Sequence, residues 1–245
     1  MTVVAVAVAV TVGLLVGPWL RTAIFANRLP RGDPARRHCP HCSRLVLASG
    51  DLGVVGPVAL SGRCPSCRQR IGAPPAVIEV VSAGVLGLLA LRVHSLLVLA
   101  ALGWVAAAGI VLVAIDASTR RLPDAVLAPT LVVLVLLVVA GIVDHRPSEL
   151  VGALSGGAAA FAGYSLLALA TAGLGFGDCK LAAVLGLVLG WFGWDALVAG
   201  VTLGFVLAAL YLLPRMVTGG FSRSEQIPLA PFMLVGAFTV LLVVA

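Results

Sequence analysis

Long apolar runs separated by short polar stretches dominate this chain, at about 2–26, 77–92, 95–115, 125–143, 150–173, 179–193, 196–213 and 228–245. Roughly 20 apolar residues wound as a helix span the hydrocarbon core of a bilayer, so these runs predict transmembrane helices. The second and sixth runs are short, and their ends are the least sharply defined. Eight helices make the predicted fold an all-α polytopic membrane protein. The first run is apolar from residue 3, without a basic start or a small-residue cleavage site. It reads as a retained helix rather than a removable signal.

Composition agrees with that pattern. With 61% apolar and 11% charged residues in 245, and a mean hydropathy of +1.14, an ordinary soluble domain is excluded. A net charge of +6 raises the question of nucleic acid, and the placement of the charges answers it. The 27–76 loop holds Arg28, Arg31, Arg36, Arg37, Arg44, Arg63, Arg68 and Arg70. Arg120, Arg121, Lys180, Arg215 and Arg223 fall in or beside loops on the same side of an eight-helix topology. The alternate loops carry only Arg92 and Arg146, beside Asp144, Glu149 and Asp195. This is the positive-inside asymmetry of a membrane protein, with the basic side cytoplasmic and both termini outside. The partner it implies is the lipid bilayer, with no nucleic acid.

Only the stretch 28–76 is large enough to fold outside the lipid. It contains Cys39-Pro-His-Cys42 and Cys64-Pro-Ser-Cys67, two CxxC pairs separated by 21 residues. Paired CxxC turns each present two thiolates to a tetrahedral ion, so the loop is a candidate structural zinc site. A reducing cytoplasm disfavours disulfides here, and a short loop with little core gains most of its fold from a metal. His38 and His41 are weaker ligand candidates. The chain thus divides into a first transmembrane helix (1–27), a cytoplasmic four-cysteine loop (28–76) and a seven-helix transmembrane core (77–245). Cys179, flanked by apolar residues, reads as a small buried side chain. His94 and His145 read as solvated loop residues, and Pro18, Trp19 and Arg21 as packing or interface anchors.

Two acids stand out against the apolar background. Asp116 closes the third helix, where a negative charge opposes the macrodipole. Asp178 opens the sixth, behind Gly173, Gly175 and Gly177, where the dipole and Lys180 favour its charge and a helix cap is the plain structural alternative. Ionisable groups at the edge of a hydrocarbon slab are costly, so their default reading is functional. Two carboxylates on one membrane face, in contrasting environments, suit a reaction in which one holds a proton and the other accepts one from water. Asp124 follows Pro123 at the start of the fourth helix, a favourable site for an acid on structural grounds alone.

These pieces resemble the type IV prepilin peptidases, bacterial membrane aspartic proteases. The resemblance rests on Ile115-Asp116 through Leu122-Pro123-Asp124, on Gly175-Phe-Gly177-Asp178-Cys-Lys180, and on Gln226-Ile-Pro228-Leu-Ala-Pro231-Phe. The four-cysteine loop followed by Glu79 matches that family's amino-terminal region, so the likeness spans the chain. It implies Asp116 and Asp178 as catalytic residues, supported by Asp124, Lys180, Gly175, Gly177 and Glu79. It also implies a prepilin or pseudopilin substrate cut at the cytoplasmic face of the bacterial inner membrane. Glu79 is expected to meet the basic leader. Many family members also methylate the new amino-terminus with S-adenosylmethionine. Here Gly17-Pro-Trp-Leu-Arg21 and Asp51-Leu-Gly-Val-Val-Gly-Pro57-Val replace the family's usual polar stretches, which weakens that second expectation. Two other readings compete: an ion- or proton-coupled transporter using the two aspartates, and a non-catalytic scaffold. A transporter predicts polar residues deep in several helices, and these runs carry almost none.

Overall fold

Local hydrogen bonding sets where each apolar run becomes helical. A computed structural model describes residues 3–28, 36–47, 61–72, 76–171, 174–217 and 228–245. Gly173, Gln226, Arg31, Arg223 and the 51–58 stretch lie outside the described residues. The elements are α1 (Val3–Asn27), α2 (Val77–Arg92), α3 (Leu96–Thr119), α4 (Asp124–Leu127), α5 (Val132–Val143), α6 (Pro147–Ala170), α7 (Phe176–Trp191), α8 (Trp194–Val217) and α9 (Ala230–Val244). Among the described residues there is no strand, and the only β-pairing is two isolated bridges. Among the described residues five helical segments are long and apolar enough to cross a membrane: Val3–Asn27, Leu96–Thr119, Asp124–Val143, Pro147–Ala170 and Trp194–Met216. Helices α2, α7 and α9 are shorter, at 16, 16 and 15 residues.

Three of the departures from the sequence expectation have a clear local reason. The fourth run is broken by a 3-10 turn at Ala128–Leu131, because Pro129 has no N–H to continue the α pattern. The Thr130 hydroxyl answers by donating to the Leu127 carbonyl. Helix α3 continues to Thr119, where Arg120 enters the left-handed region at φ 54°, so Asp116 lies inside the last turn. Helix α7 starts at Phe176 rather than 179, because Gly175 is the extended cap residue.

Glycines set the closest helix approaches. A Cβ on Gly186 of α7 would lie 2.5 Å from the Gly156 carbonyl oxygen of α6. One on Gly190 would lie 2.4 Å from that of Gly152. The two backbones touch without intervening side chains, the usual way apolar helices gain contact where lipid offers no hydrophobic drive. Between α1 and α2 the same device serves a polar purpose. Gly13 admits the Ala83 backbone, and the Ser82 hydroxyl donates to the Gly13 carbonyl at 2.7 Å. Gly17 leaves room for Glu79, whose Cγ would be 2.5 Å from a Cβ there. Arg21 Nε and Nη2 donate to the two Glu79 oxygens at 2.6 and 2.7 Å. Both side chains are nearly closed off, 2% and 10% exposed.

Below that pair, Leu20 and Ile24 of α1 pack with Ile78 of α2 and with Val111 and Ile115 of α3. Phe25 and Ala26 receive Leu47, with Val46 and Ile71 packed alongside, and the Arg36 N–H donates to the Ala26 carbonyl at 2.8 Å. The cysteine loop is thereby docked at the same end of the bundle as the start of α2 and the end of α3. Large apolar side chains such as Leu96, Leu166 and Leu169 face outward, as lipid-contacting surface does.

Three outcomes test this packing by thermal unfolding of the detergent-solubilised protein. Gly190→Ala, which drives a methyl into the Gly152 carbonyl, should destabilise by about 1–3 kcal/mol. Gly163→Ala, where nothing lies within 4 Å, should be neutral or stabilising by up to about 1 kcal/mol. Glu79→Ala removes the carboxylate that holds the buried Arg21 guanidinium and should cost about 3 kcal/mol, whereas Arg21→Met with Glu79→Leu should recover most of it.

Candidate active site

Asp116 hangs from the last turn of α3, where the Ile115 side of the helix is packed against α1. It is one of the few buried polar residues, 4% exposed. Its Oδ2 accepts the backbone N–H of Ala230, the first residue of α9, at 3.2 Å. Asp178 sits in the first turn of α7 and is partly exposed. Its Oδ2 accepts the Gly175 N–H at 3.0 Å, while its own N–H donates to the Gly175 carbonyl at 3.0 Å. This reciprocal pair closes the helix start, so Asp178 caps from the third position rather than from the cap position itself. The carboxylates of Asp116 and Asp178 lie within electrostatic range of each other. Among the described residues neither Oδ1 has a hydrogen-bond partner, so each acid keeps one oxygen free for a bound molecule.

The start of α7 is held in place by the loop before α4. A Cβ on Gly177 would lie 2.8 Å from Cβ of Leu122, so Gly177 is required by close approach. Gly175 has φ −86° and ψ 151°, extended backbone open to any residue, and needs no special conformational freedom. Lys180 does not serve Asp178. Its ammonium pairs with Oδ1 of Asp124 and stands 5.1 Å from the centroid of the Phe176 ring. Phe176 in turn meets Phe161 of α6 edge-on at 6.3 Å. Asp124 and Lys180 together tie α4 to α7, with the aspartate side chain 75% exposed.

Glu79 lies in the first turn of α2. It is buried against Arg21, so its carboxylate is occupied within the protein rather than offered to a ligand. Cys179 is fully buried in the main core. One residue escaped the sequence reading: Tyr164 of α6, buried, stacked on Phe205 of α8 at 5.4 Å, and within electrostatic range of Asp178. Its only sequence signal was a hydroxyl-bearing ring in a run rich in alanine and glycine, which an ordinary packing residue shares.

The four loop cysteines form one cluster, with their sulfurs within 4.8 Å of one another. Cys39 and Cys67 sulfurs are 3.7 Å apart, and those of Cys42 and Cys64 3.8 Å. A tetrahedron of thiolates at about 2.3 Å from a central ion has edges of about 3.8 Å. The donor set therefore fits a metal ion. Each turn is built alike: the Ser43 N–H donates to the Cys39 carbonyl and the Arg68 N–H to the Cys64 carbonyl. Ser43 and Arg68 both adopt positive φ, and bridges join His38 to Leu45 and Arg63 to Arg70. The N–H groups of Cys67 and Ser66 hold the Cys64 thiol down at about 6. The Gln69 N–H lowers Cys67, yet burial and the neighbouring sulfurs leave it raised to about 12. A divalent cation resolves that crowding of negative charge, since a coordinated thiol is deprotonated outright.

Comparison with known proteins gives this arrangement its context. Residues 103–213 match the Type IV leader peptidase family, and residues 11–93 match the Bacterial Peptidase A24 N-terminal domain. A prepilin leader peptidase/N-methyltransferase of Burkholderia pseudomallei (strain 1026b) is 33% identical over 231 residues, covering 89% of this chain and 74% of that protein. Proteins with the same name from Pseudomonas putida and Aeromonas hydrophila are 29% and 30% identical. These cover 97% and 84% of this chain, and 90% and 71% of their own lengths. No solved structure matches. On its sequence relationships along nearly its whole length, the chain belongs to the type IV leader peptidase family.

Proposed function

We propose that this protein is a membrane aspartic endopeptidase that removes the leader from type IV prepilins or pseudopilins, with Asp116 and Asp178 as the catalytic pair. The observation that carries the proposal is the meeting of these two acids from α3 and α7, each with one oxygen uncommitted. A water held between the uncommitted oxygens loses its proton to one carboxylate as its oxygen attacks the peptide carbonyl carbon. The other carboxyl, protonated, donates to the carbonyl oxygen. As the tetrahedral intermediate collapses, the C–N bond breaks and the amine nitrogen takes up the proton that came from water. Asp124, Lys180 and Gly177 keep the start of α7 in register with the end of α3, and Gly175 donates to Asp178. Glu79 acts at a distance, through its pair with Arg21.

The proposed topology counts eight spans, with α4 and α5 forming one. The arginine-rich loops then face the cytoplasm of a bacterial cell, both termini lie outside, and the carboxylates sit at the inner edge of the plasma membrane. A prepilin would lie with its apolar helix in the bilayer and its leader in the cytoplasm, which brings the scissile bond to that edge. The loop 28–76 is a structural clip between the first helix and the 77–245 core, with zinc held by Cys39, Cys42, Cys64 and Cys67. The relatives' names join peptidase to N-methyltransferase. In this chain the Gly17–Arg21 and 51–58 stretches depart from the family pattern. S-adenosylmethionine is therefore a cofactor only if methyl transfer is retained, and the proposal rests on the peptidase step.

Co-expression with a candidate prepilin tests the pair. Asp116→Asn and Asp178→Asn should each lower processing by at least about 10³-fold, since the two acids act as one unit. Protein levels should match wild type. Cleavage by either variant at the wild-type rate would remove the proposal. For the loop, metal analysis of purified protein should find about one zinc per chain, reduced in Cys39→Ser, and chelation should lower the unfolding temperature.

A further inference from the structure

The Pro228-Leu-Ala-Pro231-Phe stretch has so far been given no task, yet it delivers a hydrogen bond to Asp116. The first four N–H groups of any helix lack partners within it. At the start of α9 they are nearly all accounted for. Phe232 and Met233 N–H groups both donate to the Leu229 carbonyl at 3.1 Å. Pro231 has no N–H, and Leu229 at the cap position makes no side-chain cap bond. One donor of the first turn is left, that of Ala230, and it points at Oδ2 of Asp116. Ala230 is fully buried, so no water competes for the bond.

Packing fixes where this donor lies. Leu234, one turn along α9, fills the gap left by Gly109 of α3, where a Cβ would come within 2.9 Å of it. On the other side Gly236 admits the Gly204 backbone of α8, with a Cβ there only 2.6 Å from the Gly204 nitrogen. Met233, Leu234, Ala237 and Leu241 bury the same face in the main core. The position of the Ala230 N–H relative to α3 is therefore set by helix–helix contact rather than by a loop.

A backbone N–H can only donate. An oxygen that accepts it is a poor place for a proton, so the exchangeable proton and the water belong to the other oxygen. We infer that Ala230 is a positioning residue of the peptidase reaction: its N–H pins Oδ2 of Asp116 and turns Oδ1 toward the hydrolytic water. Gly175 does the same for Asp178 from the start of α7. The inference rests on the catalytic reading of Asp116, and it gives the proline-flanked motif its function. Proline at 231 removes a competing donor, and the buried small residue at 230 lets α9 approach the acid.

Hydrogen exchange on the full-length protein in detergent tests the bond independently of activity. In a peptide beginning at Pro228, the only early amides are those of Leu229, Ala230 and Phe232. The Ala230 amide should be protected, and Asp116→Ala should speed its exchange at least about tenfold while Asp178→Ala does not. Unchanged exchange in Asp116→Ala overturns the inference. Kinetics test its consequence. Ala230→Pro deletes the N–H at a helix position that accepts proline, and kcat for prepilin cleavage should fall about 10–100-fold with little change in KM. Ala230→Gly keeps the N–H and should keep kcat. Because the residue before a proline resists helical backbone, and Leu229 has φ −86° and ψ −30°, a second comparison sets Leu229→Gly/Ala230→Pro against Leu229→Gly. An undiminished kcat in Ala230→Pro, or in that second comparison, overturns the positioning role. Processing by Asp116→Asn would instead overturn the catalytic reading, an outcome that exchange at Ala230 does not share.

Discussion

A carboxylate placed in an apolar bundle needs donors, and in such a bundle the free donors are at helix starts. Every N–H in the body of a helix is spent on its own carbonyls, and lipid offers none. This constraint places the two acids. Asp116 reaches the first N–H of α9, and Asp178 reaches back to the N–H that precedes α7. Both acids therefore sit where helices begin or end, at one end of the bundle, although their polypeptide positions are far apart. A pair of acids at the middle of these helices would have met only saturated backbone.

Helix starts can serve as donors only if helices come close, and glycine makes the approach. Gly177 lets Leu122 press on α7 beside Asp178, and Gly109 lets Leu234 seat α9 on α3. The α6–α7 contact, made backbone to backbone, holds α7 from the opposite side. Two ion pairs among the described residues of this end differ in kind. Arg21 and Glu79 are sealed between α1 and α2, so breaking the pair disturbs a buried charge. Lys180 and Asp124 are open to solvent, where such a pair contributes at most about 1 kcal/mol. Its value is geometric, joining α4 to α7 close to Asp178.

Much of this was legible in the sequence, and what was not has a common cause. Apolar runs announce helices because hydropathy is counted residue by residue. Asp116 and Asp178 announced themselves by being costly, and the cysteines by spacing. Pairings between helices were hidden. A helix that is apolar on every side has no polar stripe to show which face meets a neighbour and which meets lipid. Hence Arg21 could not be matched to Glu79, nor Lys180 to Asp124 rather than to Asp178 beside it. Tyr164 was invisible for the same reason. Ala230 was hidden more deeply, because its contribution is a backbone N–H and its side chain says only that the space is small. The break at Pro129 was legible in principle, since proline interrupts any helix, but the apolar count outweighed it.

The same logic bears on how two acids come to differ. Both are anchored through one oxygen by a single backbone N–H, so anchoring alone does not separate them. Their surroundings do. Asp116 is nearly sealed at the end of α3 against the start of α9, whereas Asp178 is partly open in the first turn of α7. In the proposed reaction a peptide and its water enter from the open side. In the proposed reaction Asp178 is thus the acid that substrate meets first, and Asp116 the one behind it, held by the first N–H of α9. Division of labour then follows from access rather than from chemical type, and it depends on α9 being seated.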